Sequence, residues 1–271
     1  MFADAELCVK CFGLKWVCLM LIISLPWCQR PWALPFMTIL APSKKYNEAR
    51  GRAHKTSIDW TILALRIISR WLKCSWVLIG DGGFACVRLG HACIKQNVTL
   101  VSRLRLDTAL YVFAPSPAEG QRGRHREKGE RFISLKKLAA DATQPWRNTC
   151  INWYGGITKN VRLLSDCQLW YSSGEKSLPI RWVLVVDPDT NEAEAFFSTD
   201  MTLVPEQIVN WFVLRWNIGV SRRRTLHLVG ESPTEVKRLK PRSSGGIMAR
   251  KQGDGALQQT YSKEYVQYTR L

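Results

Sequence analysis

The chain has 271 residues, of which 46% are apolar, with twelve tryptophans; that composition excludes a disordered polypeptide. Its formal net charge is +17, which points to a polyanionic partner, nucleic acid first and an anionic membrane surface second. Nine cysteines, an odd number without framework spacing, exclude a disulfide scaffold, and the one CxxC (Cys8 to Cys11) has no second pair of the kind a structural zinc site needs. Reduced thiols in a cytoplasmic protein are the expectation.

Two apolar runs open the chain, Trp16 to Pro26 and Trp32 to Leu40, broken by Gln29-Arg30. They read as two adjacent buried strands. The first follows Lys10 and Lys15 and resembles a signal-peptide core, but it is too short to span a bilayer and no small-residue cleavage site follows. A basic membrane-associated or secreted protein is the reading that rests on it, and no membrane partner is expected. Pro42 to Lys55 is a polar connector with Lys44, Lys45, Arg50, Arg52, His54 and Lys55, suited to phosphate contacts or to solvent.

Asp59 to Leu72 shows helical spacing at Ile62, Leu65, Ile68, Trp71 and Leu72. Trp76 to Ile79 reads as a short buried strand that ends at Asp81, among Gly80, Gly82 and Gly83. Chemistry is presented at such a place in an α/β sheet, and glycines let the backbone turn sharply beside a ligand. The carboxylate can hold a divalent metal or simply cap its own turn. Phe84 to Ile94 is expected as a helix and Val98 to Val101 as a strand leading into Arg103-Leu-Arg105. Strand, helix, strand, helix, strand is α/β alternation.

Ala114 to Arg131 carries five Gly or Pro residues among Arg122, Arg124, Arg126 and Lys128. It is expected as a flexible basic loop that contacts a DNA backbone or lies in solvent. Strands are then expected over 149–154, 160–164, 168–172, 181–186 and 193–198, the last two joined by a turn at Asp187-Pro-Asp-Thr-Asn191. Val204 to Ile218 is a helix with Pro205 and Glu206 in its first turn. Ile208, Trp211, Phe212, Arg215 and Gly219 share one face, so Arg215 needs an anionic partner. The tail beyond is expected to be mostly disordered.

Several blocks, in order and at their spacing, resemble bacterial insertion-sequence transposases with a DDE (Asp-Asp-Glu) nuclease domain. They are Gly13-Leu-Lys-Trp16, Trp32-Ala-Leu-Pro-Phe36, Val77-Leu-Ile-Gly-Asp81, Val98 to Asp107, Trp153-Tyr-Gly-Gly156, Pro179 to Leu184 and Phe212-Val-Leu-Arg-Trp216. The resemblance implies an α/β fold, an RNase H-like mixed sheet flanked by helices with an inserted β-rich subdomain. Residues 1–111 would form a partial catalytic core lacking its first strand, 112–145 the basic loop, 146–203 the β-rich subdomain, 204–220 the last catalytic-domain helix and 221–271 a divergent basic tail.

The resemblance also implies Mg²⁺ or Mn²⁺ held by three carboxylates, with Asp81 matching the second aspartate and Arg215 an arginine that contacts DNA phosphate. Arg103, Arg105, Arg122, Arg124, Arg126 and Lys128 are the further DNA-contacting candidates. Phe212 stands where the family has tyrosine and Gly219 where it has the catalytic glutamate, while no matching aspartate precedes Gly13. One reverse translation of residues 219–224, read two bases on, contains Ser-Phe-Glu-Glu, close to what the family has there. The expectation is therefore a truncated, frameshifted and catalytically defective transposase copy. Its partners would be DNA, its own kind or a full-length transposase, and a non-catalytic DNA-binding or regulatory fragment is the alternative.

Overall fold

The computed structural model describes residues 15–28, 31–115, 126–215 and 265–270. Strands β1 (Trp16–Ile23) and β2 (Trp32–Leu40) are followed by a short helix α1 (Lys44–Glu48) and by α2 (Ser57–Trp71). Next come β3 (Trp76–Gly80), a 3₁₀ turn over Gly82–Phe84, α3 (Val87–Lys95), β4 (Val98–Leu104), β5 (Leu110–Tyr111) and α4 (Leu135–Ala140). The remainder is β6 (Arg147–Asn152), β7 (Thr158–Trp170), β8 (Leu178–Val186), β9 (Ala193–Ser198), α5 (Pro205–Leu214) and β10 (Tyr265–Arg270).

All ten strands form one mixed sheet in the order β2-β1-β10-β3-β4-β9-β8-β7-β5, with β6 pairing β7. β3 and β4 run parallel, while β4 and β9 run antiparallel. Helices cover both faces. Trp76 and Leu78 of β3 pack with Ala64, Leu65 and Ile68 of α2 and with Val87, Leu89 and Cys93 of α3. Val77 and Ile79, pointing the other way, pack with Ile208, Val209 and Phe212 of α5. This two-sided burial explains why β3 is an unbroken apolar run rather than an alternating one. The α/β class is as expected.

Several expectations change in detail. β2 is an edge strand, mostly exposed rather than buried; Pro35, which cannot donate to a ladder, sits there opposite an irregularity between Leu19 and Met20. The buried face of α2 is Ser57, Thr61, Ala64, Leu65 and Ile68, so Trp71, 62% exposed, is off it. A capping box of Thr56 and Asp59 starts that helix two residues before Asp59. The strands expected at 160–164 and 168–172 are one continuous strand, β7. The β-rich span 146–203 joins the main sheet edge to edge, because β9 pairs β4 on one side and β8 on the other.

The tail was expected to be mostly disordered and the catalytic core to lack its first strand. Residues 265–270 of that tail occupy the place between β1 and β3, parallel to the first and antiparallel to the second. An unpaired row of N–H and C=O groups on either neighbour is costly unless something completes its ladder, and β10 does so. The rest of the tail, Gly219 included, lies outside the described residues. The apolar run Trp16–Ile23 is a strand, and no helix among the described residues is long and apolar enough to cross a membrane.

Candidate functional site

The strand directions bring one end of the sheet together. β1 begins there; β2, β3, β4 and β8 end there; β9 begins there. Asp81 stands at that end in the first position after β3. Its Oδ1 accepts from the Gly82 N–H at 2.7 Å, and its carbonyl accepts from Phe84 N–H at 2.8 Å and Ser102 Oγ at 3.0 Å. The aspartate therefore caps its own 3₁₀ turn and is tied to β4.

The three glycines do different jobs. A Cβ on Gly80 would lie 2.9 Å from Phe84 Cβ, so only glycine lets the turn fold back. Gly82 and Gly83 have no left-handed backbone, and a Cβ on either would meet nothing within 4 Å. Their effect is to leave the turn bare on its open side.

Arg215, the residue that ends α5, finds its anionic partner here. Its Nη1 is 3.6 Å from Asp81 Oδ2, with the arginine side chain 18% exposed. Its guanidinium also lies 5.0 Å from the Phe212 ring centroid. The buried stripe of α5 (Ile208, Val209, Phe212) sets the last turn above the end of β3. A carboxylate 39% exposed and a mostly buried arginine thus neutralise each other beside solvent.

A second ion pair adjoins the first. Glu194 Oε2, on β9, accepts from Tyr154 Oη at 3.1 Å and is 3.7 Å from Arg103 Nη2. Burial, and then the Glu194 charge and hydrogen bond, push the Tyr154 phenol above its ordinary range, so it stays a donor. Arg105 makes a two-pronged contact with Asp107, at 2.9 and 2.7 Å. The Arg105 and Asp107 side chains are largely exposed, and such pairs hold little energy against a competing phosphate.

Two hollows flank the bare turn. One, of about 650 Å³, is lined by Gly82, Arg103, Arg105, Lys136, Asp107 and Glu194 among others. The other, of about 830 Å³, reaches Gly83 and is lined by Lys15, Arg52 and Lys55 among others. The charged side chains of the second are all cationic, whereas the first sets three cations against Asp107 and Glu194.

The candidate residues therefore separate. Asp81, Arg215, Arg103 and Arg105 are brought to one end of the sheet. Lys128 is not: its ammonium lies over the Tyr171 and Tyr111 rings, at 3.1 and 4.0 Å from their centroids, where β5 pairs the far end of β7. Exposed Arg126 is in the same region, next to Glu127, whose carboxylate accepts from Ser177 N–H at 3.0 Å just before β8. Residues 126–131 are anything but a free loop, since Gly129 N–H donates to the Val112 carbonyl and Val112 N–H to the Glu130 carbonyl. Arg122 and Arg124 lie outside the described residues. Sequence reasoning missed Glu194, Tyr154 and Lys136. Of these only Tyr154 had a signal, since it belongs to the Trp153-Tyr-Gly-Gly156 block.

The described donors do not fit a pair of divalent cations. No group of three or more His, Cys, Asp or Glu side chains converges among the described residues. One Asp81 oxygen is occupied by a backbone N–H and the other faces a guanidinium. Mg²⁺ demands near-octahedral oxygen ligation, with one or two carboxylates as anchors; Glu194 is turned to Tyr154 and Arg103 instead.

A family model described as DDE superfamily endonuclease matches residues 4–160. That span contains β1 to β6, Asp81, Arg103, Arg105 and Tyr154. No curated protein matches the chain.

Proposed function

The chain belongs to the DDE superfamily endonucleases, and from that premise we propose that it is a transposase-derived protein of a bacterial insertion sequence which binds DNA across the Asp81 turn and has lost the capacity to cut it. The family is one of transposase-like nucleases acting on DNA. The observation that supports loss of cleavage is the Asp81–Arg215 pair at 3.6 Å, in a place where a nuclease of this family would need a free carboxylate and companions.

The chemistry left to these residues is binding. Arg215, Arg103, Arg105 and Lys136 present guanidinium and ammonium donors around a turn stripped of side chains by Gly82 and Gly83. Guanidinium forks match phosphate oxygens two at a time. A DNA backbone can approach the turn closely because no Cβ stands in its way. In this reading Arg103 and Arg105 exchange Glu194 and Asp107 for phosphate when DNA arrives, and Arg215 stays on Asp81. The protein would work in the cytoplasm.

The test is an assay for nicking and strand transfer with Mg²⁺ or Mn²⁺, on DNA carrying the ends of the element, run beside an equilibrium binding titration. Binding without cleavage is expected, with affinity lowered about five- to thirtyfold in an Arg103→Ala, Arg105→Ala double variant, at roughly 0.5–1 kcal/mol for each exposed contact. Metal-dependent cleavage that vanishes in Asp81→Ala would overturn the loss of activity.

A further inference from the structure

The 830 Å³ hollow beside Gly83 gathers Lys44, Arg52, His54 and Lys55 of the basic connector, and its chemistry differs from that of its neighbour. Five of its fourteen lining residues are basic (Lys15, Lys44, Arg52, His54 and Lys55), and no carboxylate lines it. Leu40, Ala41, Pro42 and Ile58 give it an apolar floor, and Tyr46, 46% exposed and with the Arg50 guanidinium 3.9 Å from its ring centroid on one face, gives it an aromatic wall.

The hollow is built before any ligand arrives. Ser43 caps α1 by accepting from Tyr46 N–H at 3.2 Å. Gly51, with φ of +60°, reverses the chain after α1 in a backbone conformation that glycine enters without strain. Arg52 N–H then donates back to the Asn47 carbonyl at 2.9 Å. Buried Asn47 holds the His54 ring at 3.2 Å. These bonds hold the 43–54 connector in place, so its cations face one space instead of trailing in solvent. The start of α2 is not the attraction, because its first turn is already closed by the Thr56–Asp59 box.

We propose that this hollow receives one or two nucleotides of single-stranded DNA, with a base against Tyr46 and the apolar floor and its phosphate among Arg52, Lys55 and Lys44. The proposal rests on the DNA-binding reading above and adds to it what the second hollow does. Its volume is within the range of sites for small ligands and far too small for a duplex. A cationic wall combined with an exposed ring and an apolar floor is what unstacked bases require, because every base has a face to stack and a phosphate to neutralise. Duplex DNA offers phosphates but no free base, so the floor and Tyr46 would be wasted on it. Since the hollow opens at Gly83 and the other at Gly82, a strand leaving a duplex on the Arg103 side has a route over the bare turn into it.

Fluorescence anisotropy with three labelled probes tests this on the full chain: a blunt duplex, the same duplex with a four-nucleotide single-stranded extension, and a single-stranded hexamer. The extended duplex should bind at least about fivefold tighter than the blunt one, the lower end for stacking one base. Tyr46→Ala should abolish that advantage and leave blunt-duplex affinity unchanged, while Tyr46→Phe, which keeps the ring, should preserve it. Arg52→Ala should flatten the salt dependence of hexamer binding by about 0.7, the value for one lost contact to a single strand.

Equal affinity for blunt and extended duplexes would overturn the proposal and leave the DNA-binding reading standing. Hexamer binding that depends on Tyr46 and Arg52, without duplex binding, would support the proposal and sink that reading. Failure to bind any probe would sink both. Tyr46 and Arg52 are exposed, so their replacement leaves the core untouched.

Discussion

At the scale of single residues, the same side chain types serve binding and structure, and the neighbours decide which. Asp81 and Asp187 make the contrast. Asp81 is partly exposed and opposed by one arginine at 3.6 Å. Asp187 is buried at the β8–β9 turn, where its carboxylate accepts from Lys159 Nζ, from Thr190 Oγ1 at 2.7 Å and from Asp189 N–H at 3.1 Å. Those bonds, the lysine first, hold its carboxyl at about 2, below the ordinary 3.8. A carboxyl whose folded value is depressed contributes stability that is present above the unfolded value and lost as pH falls through the folded one. Asp187→Asn should therefore lower the urea midpoint by a constant amount between pH 5 and 7, and the gap to the wild type should close as the pH falls from about 4 towards 2. A gap independent of pH over that interval would show that the carboxylate charge is not what holds the turn.

At the scale of elements, the sheet depends on a strand from the far end of the chain. β1 and β3 do not pair with each other; both pair with β10. Without residues 265–270 the β1–β2 hairpin would hang from the rest by packing alone, with two ladders open. A chain ended at residue 264 should lose several kcal/mol of stability, at about 1 kcal/mol per ladder hydrogen bond. The β1 and β3 amides should also lose protection in hydrogen exchange. Unchanged protection at Leu19, Met20, Leu78 and Ile79 would mean that some other segment can serve.

The extent to which elements could be read from sequence follows their burial. β3 was legible because both of its faces are covered, and the β8–β9 turn because Asp187 to Asn191 contains the residues a turn needs. α4 escaped notice: six residues among basic loops make too short a period to see, and only packing of Leu135 and Leu138 against the sheet defines it.

At the scale of the molecule, charge and topology act together. The net charge of +17 is not evenly useful. Lys128 lies over tyrosine rings and Lys159 is held by Asp187 at other places, whereas Lys15, Lys44, Arg52, Lys55, Arg103, Arg105 and Lys136 line two hollows at one end of the sheet, several of them paired with Glu48, Glu194 and Asp107. About five phosphate contacts made by this set would give log Kd a slope of roughly 4 to 5 against log salt on duplex DNA. Titrations from 50 to 300 mM NaCl measure it, and a slope below about 1 would rule out backbone contact at this end.

The sequence by itself determined the α/β class, the strand that ends at Asp81, the basic character of the partner-facing surface and the membership signalled by ordered blocks, because each is a property of local pattern or of totals. It also required an anionic partner for Arg215, since a guanidinium on an apolar helix face has to be neutralised. Only the tertiary structure decided that this partner is Asp81, since 134 positions separate the two residues in the chain and nothing local measures the distance between them. It likewise decided that Lys128 lies at the far end of β7 while Arg52 lines the hollow that reaches Gly83, and that the tail supplies the strand between β1 and β3. Strand pairing and charge pairing are long-range contacts, chosen by what the whole chain brings within a few ångströms and not by the residues on either side.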